Sequence, residues 1–404
     1  MNEQINTGTP TSTPPLTTDA IKTLRRSLLR WFSESHRAMP WRKTRDPYAI
    51  WLSEVMLQQT QVATVIPYYT KFLTLFPDIK SLANADISAV LGLWAGLGYY
   101  RRAHQLHRAA CEIMLKHGGR LPTRFNDLLQ LPGFGPYTAG AVASIAFDER
   151  VPAVDGNVLR VMARILADPH DILNPKVQRQ LRETAQSWLP PRHAGTFNQA
   201  MMELGATVCT AGQPHCTKCP VSGVCRSRQA GTTADYPVRG KKDDRRRIYY
   251  AAVFAVLAPG LVLMAQRPSD GLWAGLWELP SLSISGPSQA EAAKIIVPLM
   301  QAAGMTFFDR QPVAVINHTL THREITVCIF AGHLSGRRKR CSGYKNDAKA
   351  GEAMVATLQH GPLAHYAALR WEADPRQLPL SVLAKKQLVA IDVAEWDFGP
   401  LPKL

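Results

Sequence analysis

From about Asp19 to Arg226, apolar residues recur three and four positions apart between capping residues, the spacing of packed helices. Asp46-Pro47 is a start signal, a capping side chain followed by proline at the first helical position. The helix it opens is expected to run from Tyr48 to about Thr60. Breaks at Gly118-Gly119, Leu131-Pro132-Gly133 and Asp155-Gly156-Asn157 separate later helices, among them Phe125–Gln130 and Tyr137–Ala146. The pattern then changes. Residues 229–248 are small, polar and basic, as in an exposed linker. Beyond them, strand-like runs at Tyr249–Leu257 and Leu261–Gln266 flank Ala258-Pro259-Gly260, a hairpin signal. Further strands are expected at Val313–Ile316 and Ile325–Ala331, and helices at Ser288–Ala303 and Ser381–Asp392. The expected organisation is a disordered tail over 1–18, an all-helical region over 19–228, a linker over 229–248 and an α+β domain over 249–404.

With 404 residues, the chain can build several domains, each with its own core. It carries 47 Lys and Arg against 31 Asp and Glu, a net charge of +16, which suits a polyanionic partner such as nucleic acid. The first 18 residues are rich in Thr and Pro and lack the basic and apolar stretches of a secretory signal. No apolar run has the length of a membrane span, so no membrane association is expected.

Cys209, Cys216, Cys219 and Cys225 are separated by six, two and five residues. Closed all-cysteine sites hold zinc or an iron–sulfur cluster. Zinc sites usually run as two well-separated C-x-x-C pairs, and here only Cys216 and Cys219 form one, which favours a 4Fe–4S cluster. Cys111, Cys328 and Cys341 form no disulfide framework, and clustered metal thiolates fit a reducing, cytoplasmic compartment.

Three further features carry candidate chemistry. Leu131-Pro132-Gly133-Phe134-Gly135 lies between two helices, and its glycines permit a tight turn with outward N–H groups that can cradle phosphate. Asp155 stands where an ordinary helix cap would stand. Glu54 shares an apolar stripe with Ile50 and Leu57, and a buried carboxyl tends to keep its proton near neutral pH, as a general acid must, unless a salt bridge occupies it. One protonated and one ionised carboxyl are the equipment for cleaving a glycosidic bond. In a phosphate-binding protein that bond would join base to deoxyribose, reached by turning the nucleotide out of the stack. Gln58, Gln59, Tyr99 and Tyr100 could fill the gap left behind, or could simply pack.

Together these residues resemble the helix–hairpin–helix DNA glycosylases with a 4Fe–4S cluster, the endonuclease III superfamily. Trp51–Val62, Gly96-Leu-Gly-Tyr-Tyr100, Val154-Asp-Gly-Asn-Val158 and Phe197–Gly205 closely resemble its adenine glycosylase branch, the MutY family, and the resemblance spans residues 20–400. It implies that Glu54 protonates adenine N7 and that Asp155, supported by Asn157, stabilises the sugar cation or its covalent adduct. Arg42 and Glu203 would line the adenine pocket. Gln59 and Tyr99 would enter the duplex beside the orphaned base, and Leu131, Gly133 and Gly135 would belong to the DNA-binding hairpin near 125–146. The four cysteines would ligate the cluster in a loop over 209–225 that shapes a DNA-facing surface. Bifunctional relatives carry a Schiff-base lysine where this chain has Tyr137, so base removal without strong strand cleavage is expected.

The C-terminal domain resembles the Nudix-like domain with which adenine glycosylases recognise 8-oxoguanine opposite the adenine, beginning at Gly271–Pro280. No Arg-Glu-rich catalytic helix follows Pro280, so nucleotide hydrolysis is not expected. The family's Phe-Ser-His lesion loop reads Leu320-Thr321-His322 here, with hydroxyl and imidazole kept and the ring lost. The implied protein is a monomer acting on duplex DNA with an adenine:8-oxoguanine mismatch, associated with the nucleoid when on DNA. Two other readings are a bifunctional pyrimidine glycosylase-lyase, which Tyr137 opposes, and a non-catalytic iron–sulfur DNA-binding protein, which leaves Glu54 unexplained.

Overall fold

A computed structural model describes residues 14–240, 244–257, 261–334 and 343–392. These fall into two compact units, 14–84 with 105–240, and 85–104 with the described residues from 244 onwards.

The first unit is helical, as the periodicity predicts. Leu24, Leu28 and Phe32 recur every fourth residue along the helix Thr18–Ser35 and are buried. They share one core with residues of the helices Gly156–Leu166, Pro175–Trp188 and Ala194–Thr207. Asp46 caps the helix Pro47–Leu57 by accepting from the Tyr48 amide at 3.0 Å, with Pro47 at its first position. That helix is buried all round from Tyr48 to Met56, so Glu54 sits in a fully enclosed helix rather than on one apolar stripe. It stops at Leu57, short of the expected Thr60, because Gln59 is left-handed (φ 57°).

The tail and linker boundaries also move. Leu16 joins the helical core, Thr17 caps the first helix, and the Pro14 and Pro15 carbonyls accept from Arg226. The expected tail over 1–18 therefore does not extend to residues 14–18; residues 1–13 lie outside the described residues. Of the expected linker, residues up to 240 stay with the helical unit. Ile172 donates to the Val238 carbonyl at 3.1 Å, and the Arg164 Nε donates to Thr233 and Tyr236 carbonyls at 3.2 and 2.9 Å.

The second unit is α+β. Its mixed sheet comprises β1 (Arg246–Leu257), β2 (Leu261–Gln266), β3 (Trp277–Glu278), β4 (Ser281–Ile284), β5 (Met305–Phe307), β6 (Ala314–Thr319), β7 (Arg323–Leu334) and β8 (Ala368–Glu372). β1 and β7 pair in parallel from Arg246↔Arg323 to Val256↔His333, and the other pairings are antiparallel. β1 and β2 pair at Leu257↔Leu261 as the hairpin signal requires, while its turn, 258–260, lies outside the described residues. Ala251, Val253 and Ala255 face a core with the helices Gln289–Ala302 and Gly343–Gln359. Ala252, Ile325, Val327 and Ile329 face a second core with the helix Val382–Asp392. The period of two thus buries both faces of the sheet. The short strands β3, β4, β5 and β8 and the helix Gly343–Gln359 had no counterpart in the sequence pattern.

One segment departs from the expected partition. Ala85–His104, read as part of the helical region, belongs to the second unit. There His104 Nε2 lies 2.9 Å from the Ala274 carbonyl and Tyr100 OH donates to the Leu380 carbonyl at 3.1 Å. Among the described residues no helix is long and apolar enough to cross a membrane.

Candidate active site

Two elements of the first unit deliver the two carboxyls. The buried helix Pro47–Leu57 presents Glu54, and Asp155 caps the helix Gly156–Leu166, accepting from the Val158 amide at 2.7 Å. Asp155 also accepts from Asn157 Nδ2 at 2.8 Å. Arg160, one turn on, donates to Asn157 Oδ1 at 2.8 Å, to the Gly205 carbonyl at 2.8 Å and to the Cys209 carbonyl at 2.9 Å. Gly205 must lack a side chain, since a Cβ there would lie 2.7 Å from Asn157 Cβ.

The Tyr137 hydroxyl donates a short hydrogen bond to Glu54 Oε2 and lies 3.3 Å from Met202 Sδ. Burial pushes the Glu54 carboxyl up to about 7, with the Tyr137 hydrogen bond opposing and the Asp155 charge reinforcing. Burial also raises Asp155, against the hydrogen bonds of Val158 and Asn157, which favour its ionised form. Tyr137 is raised well above its ordinary value by burial and the two carboxylates, so it stays a donor. One carboxyl is therefore protonated over much of the neutral range while its neighbour is furnished with donors for its anion.

Glu203 is fully buried but already engaged. Its oxygens accept from the Arg37 amide at 3.1 Å, from Arg37 Nε and Nη2 at 2.7 Å each and from Arg42 Nη2 at 2.9 Å. Burial pushes this carboxyl up, but the two arginines outweigh it and hold it at about 2. Arg42 also lowers Glu54 through its charge, so Arg42 and Glu203 border the same region.

Leu131 is buried, which withdraws its side chain from any DNA contact and leaves that role to the backbone. The exposed Gly133 is left-handed (φ 76°), as the tight turn requires, and opens toward the helix Pro136–Phe147. Gln59 is exposed and left-handed, and in the second unit Tyr99 is 46% exposed and left-handed (φ 49°). Leu320-Thr321-His322 forms the turn between β6 and β7, with Thr321 and His322 exposed. The Thr321 hydroxyl lies 2.9 Å from the Tyr99 hydroxyl.

Cys209, Cys216, Cys219 and Cys225 line one pocket with Val161, Arg164 and Leu204. Among the described residues no three His, Cys, Asp or Glu side chains converge on a single ion. A 4Fe–4S cluster would be held by the four cysteine thiolates together. Burial pushes Cys219 up to about 12, with the other three cysteines adding to the rise, and Arg164 Nη1 stands 3.3 Å from the Cys209 sulfur. Four crowded thiols with a cation at their edge fit a cluster that binds them as thiolates. Cys328 is buried in the sheet, and Cys341 and the basic run 337–340 lie outside the described residues.

Sequence reasoning missed Arg37, Met202 and Arg160. Arg160 was within reach, three residues after Asn157 on one helix face. Arg37 stands in an irregular loop and carries no local signal.

A profile of the HhH-GPD superfamily of base excision DNA repair proteins matches residues 52–190, and a NUDIX domain profile matches 252–388. The adenine DNA glycosylase of Rattus norvegicus is 37% identical over 369 residues, 78% of this chain and 72% of the rat protein. That of Mus musculus is 38% identical over 77% of this chain and 70% of its own length. That of Homo sapiens is 36% identical over 78% and 68%.

Proposed function

Because the chain belongs to the adenine DNA glycosylase family and is a base excision repair enzyme that hydrolyses the N-glycosyl bond of adenine in DNA, we propose that it acts on adenine opposite 8-oxoguanine, with Glu54 as general acid and Asp155 as the stabilising carboxylate. The observation that carries this is the pair itself: a buried carboxyl held by Tyr137 with its proton retained to about pH 7, beside a carboxylate that accepts from Val158 and Asn157.

The adenine must first leave the stack. Glu54 then gives its proton to the base, at N7, as the bond to the sugar breaks, so the base departs neutral rather than as an anion. Positive charge grows on the sugar, and Asp155 supplies the opposing charge while its hydrogen bonds keep it ionised and aimed. Water completes the hydrolysis by adding hydroxyl to the anomeric carbon, and its proton restores Glu54. Tyr137 orients Glu54 and offers no amine for a Schiff base, so the abasic strand stays intact. Arg37 and Arg42 lock Glu203 as a charged wall of the adenine pocket.

Cys209, Cys216, Cys219 and Cys225 would hold a 4Fe–4S cluster, which would brace the loop after the helix Ala194–Thr207, and no proton or bond change of the excision passes through it. Gln59 and Tyr99 fill the space left by the base, the hairpin glycines bind backbone phosphate, and the turn Leu320–His322 reads the opposite 8-oxoguanine. The enzyme works as a monomer where chromosomal DNA lies.

Single-turnover reaction of an end-labelled duplex with adenine opposite 8-oxoguanine, read with and without alkali, tests this. Scission only after alkali is the expected outcome. Scission without alkali would mean lyase chemistry, and equal rates opposite guanine and 8-oxoguanine would remove the lesion preference.

A further inference from the structure

Arg102 is 8% exposed, and no step of the excision uses it. Its Nη2 donates to the Leu97 carbonyl at 3.2 Å and to the Gly98 carbonyl at 3.1 Å. Its guanidinium lies 5.3 Å from the Trp94 ring centre and 5.6 Å from that of Tyr99. Trp94 Nε1 shares the Gly98 carbonyl at 3.1 Å, and the Arg102 amide donates to the Tyr99 carbonyl at 2.9 Å. Both peptide groups that lead into Tyr99 are thus held, and its ring has a cation beside it.

Tyr99 needs such holding. It is a tyrosine in the left-handed region, which disfavours any side chain, and it follows left-handed glycines at 96 and 98. Strained conformations persist only where their surroundings over-determine them. Burial lowers the Arg102 pKa to about 10, so the group remains a cation at neutral pH at a desolvation cost that an apolar side chain of equal size would avoid. What the cation adds is one nitrogen, Nη2, that donates to two successive carbonyls, and a charge beside an aromatic ring.

We propose that Arg102 is the positioning residue for Tyr99: by clamping the Leu97 and Gly98 carbonyls and contacting the phenol ring, it presets the backbone and ring tilt with which Tyr99 enters the duplex beside the lesion. This rests on the reading of Tyr99 as an inserted side chain. The Tyr99 hydroxyl is then also placed against Thr321, so Arg102 acts on lesion affinity and leaves the acid at Glu54 untouched.

A double-mutant cycle tests it, using the full protein and a duplex with non-hydrolysable 2′-fluoro-2′-deoxyadenosine opposite 8-oxoguanine. Arg102→Met should weaken binding roughly tenfold, the loss of the Nη2 grip on the two carbonyls and of the cation–π contact with Tyr99. The single-turnover rate at saturating enzyme should stay near wild type, a split that general unfolding would not give. In Tyr99→Ala, adding Arg102→Met should change binding little further. Full additivity, or wild-type binding by Arg102→Met while Tyr99→Ala is impaired, overturns the positioning role and leaves the Tyr99 reading intact. Wild-type binding by Tyr99→Ala overturns both. If Arg102→Met does not fold, Arg102→Lys, which keeps the charge but not the planar guanidinium beside the Tyr99 and Trp94 rings, replaces it in the same cycle with a smaller loss expected and the same additivity test.

Discussion

The Tyr137 hydroxyl donates to the Glu54 carboxyl from the start of the helix Pro136–Phe147. The bond has a protonic consequence: a donor to the carboxylate favours the ionised form, so Tyr137 holds Glu54 lower than burial alone would. Tyr137→Phe removes that restraint. The Glu54 pKa should rise, and the alkaline limb of the single-turnover pH profile should move to higher pH while strand cleavage stays absent. An unmoved limb would detach Tyr137 from the acid.

The profile itself follows from Glu54. With Glu54 as the proposed general acid, the excision rate should fall about tenfold per pH unit above a midpoint near 7. Glu54→Gln should lower the rate by about 10²–10⁴-fold with DNA binding retained. The same group bears on folding. Between its ordinary value of 4.5 and its folded value of about 7, the native state holds a proton that the unfolded chain has released. Stability should therefore decline as pH rises through that window and level off above it, and this component should vanish in Glu54→Gln melts.

Local signals in the sequence were enough for the buried Glu54 helix with its Asp46-Pro47 start, for the Asp155 cap and for the spacing of the four cysteines, because each is set by residues within a few positions. What lay hidden depended on distant partners. Nothing near Arg37 announces that Glu203 will claim it, 166 residues away. Leu16 reads as part of a polar tail until a helical core receives it. The segment Ala85–His104 reads as more of the same helical pattern, and only its docking at Ala274 and Leu380 assigns it to the sheet-bearing unit. The end of the Glu54 helix depended on a left-handed Gln59, which no propensity favours.

Arg160 joins the Asp155 support to the cysteine loop through Asn157 and the carbonyls of Gly205 and Cys209. Arg160→Ala would strand all three acceptors in a buried site, costing about 3 kcal/mol of stability. Thermal melts should show the loss, and the excision rate should fall as well because Asn157 is released. A variant with a normal melting temperature and normal turnover would mean that water takes over these bonds.

Gly205→Ala probes the same support by volume alone. The added methyl would sit 2.7 Å from Asn157 Cβ and 3.1 Å from the Asn157 carbonyl oxygen, and neither is the free end of a flexible chain. One of the two helices must shift, at about 2 kcal/mol for overpacking. Asn157 is the element most directly displaced, and its amide is one of the donors that keep Asp155 ionised and aimed. Losing that hydrogen bond should slow excision roughly tenfold at saturating enzyme, where affinity no longer matters. The pH profile separates this from damage to the acid. With Asp155 less well solvated its pKa rises, so the acidic limb should move to higher pH while the Glu54 limb near 7 stays in place. A slow variant whose two limbs are both unmoved would show that the methyl acts on DNA binding or folding rather than through the Asn157–Asp155 bond.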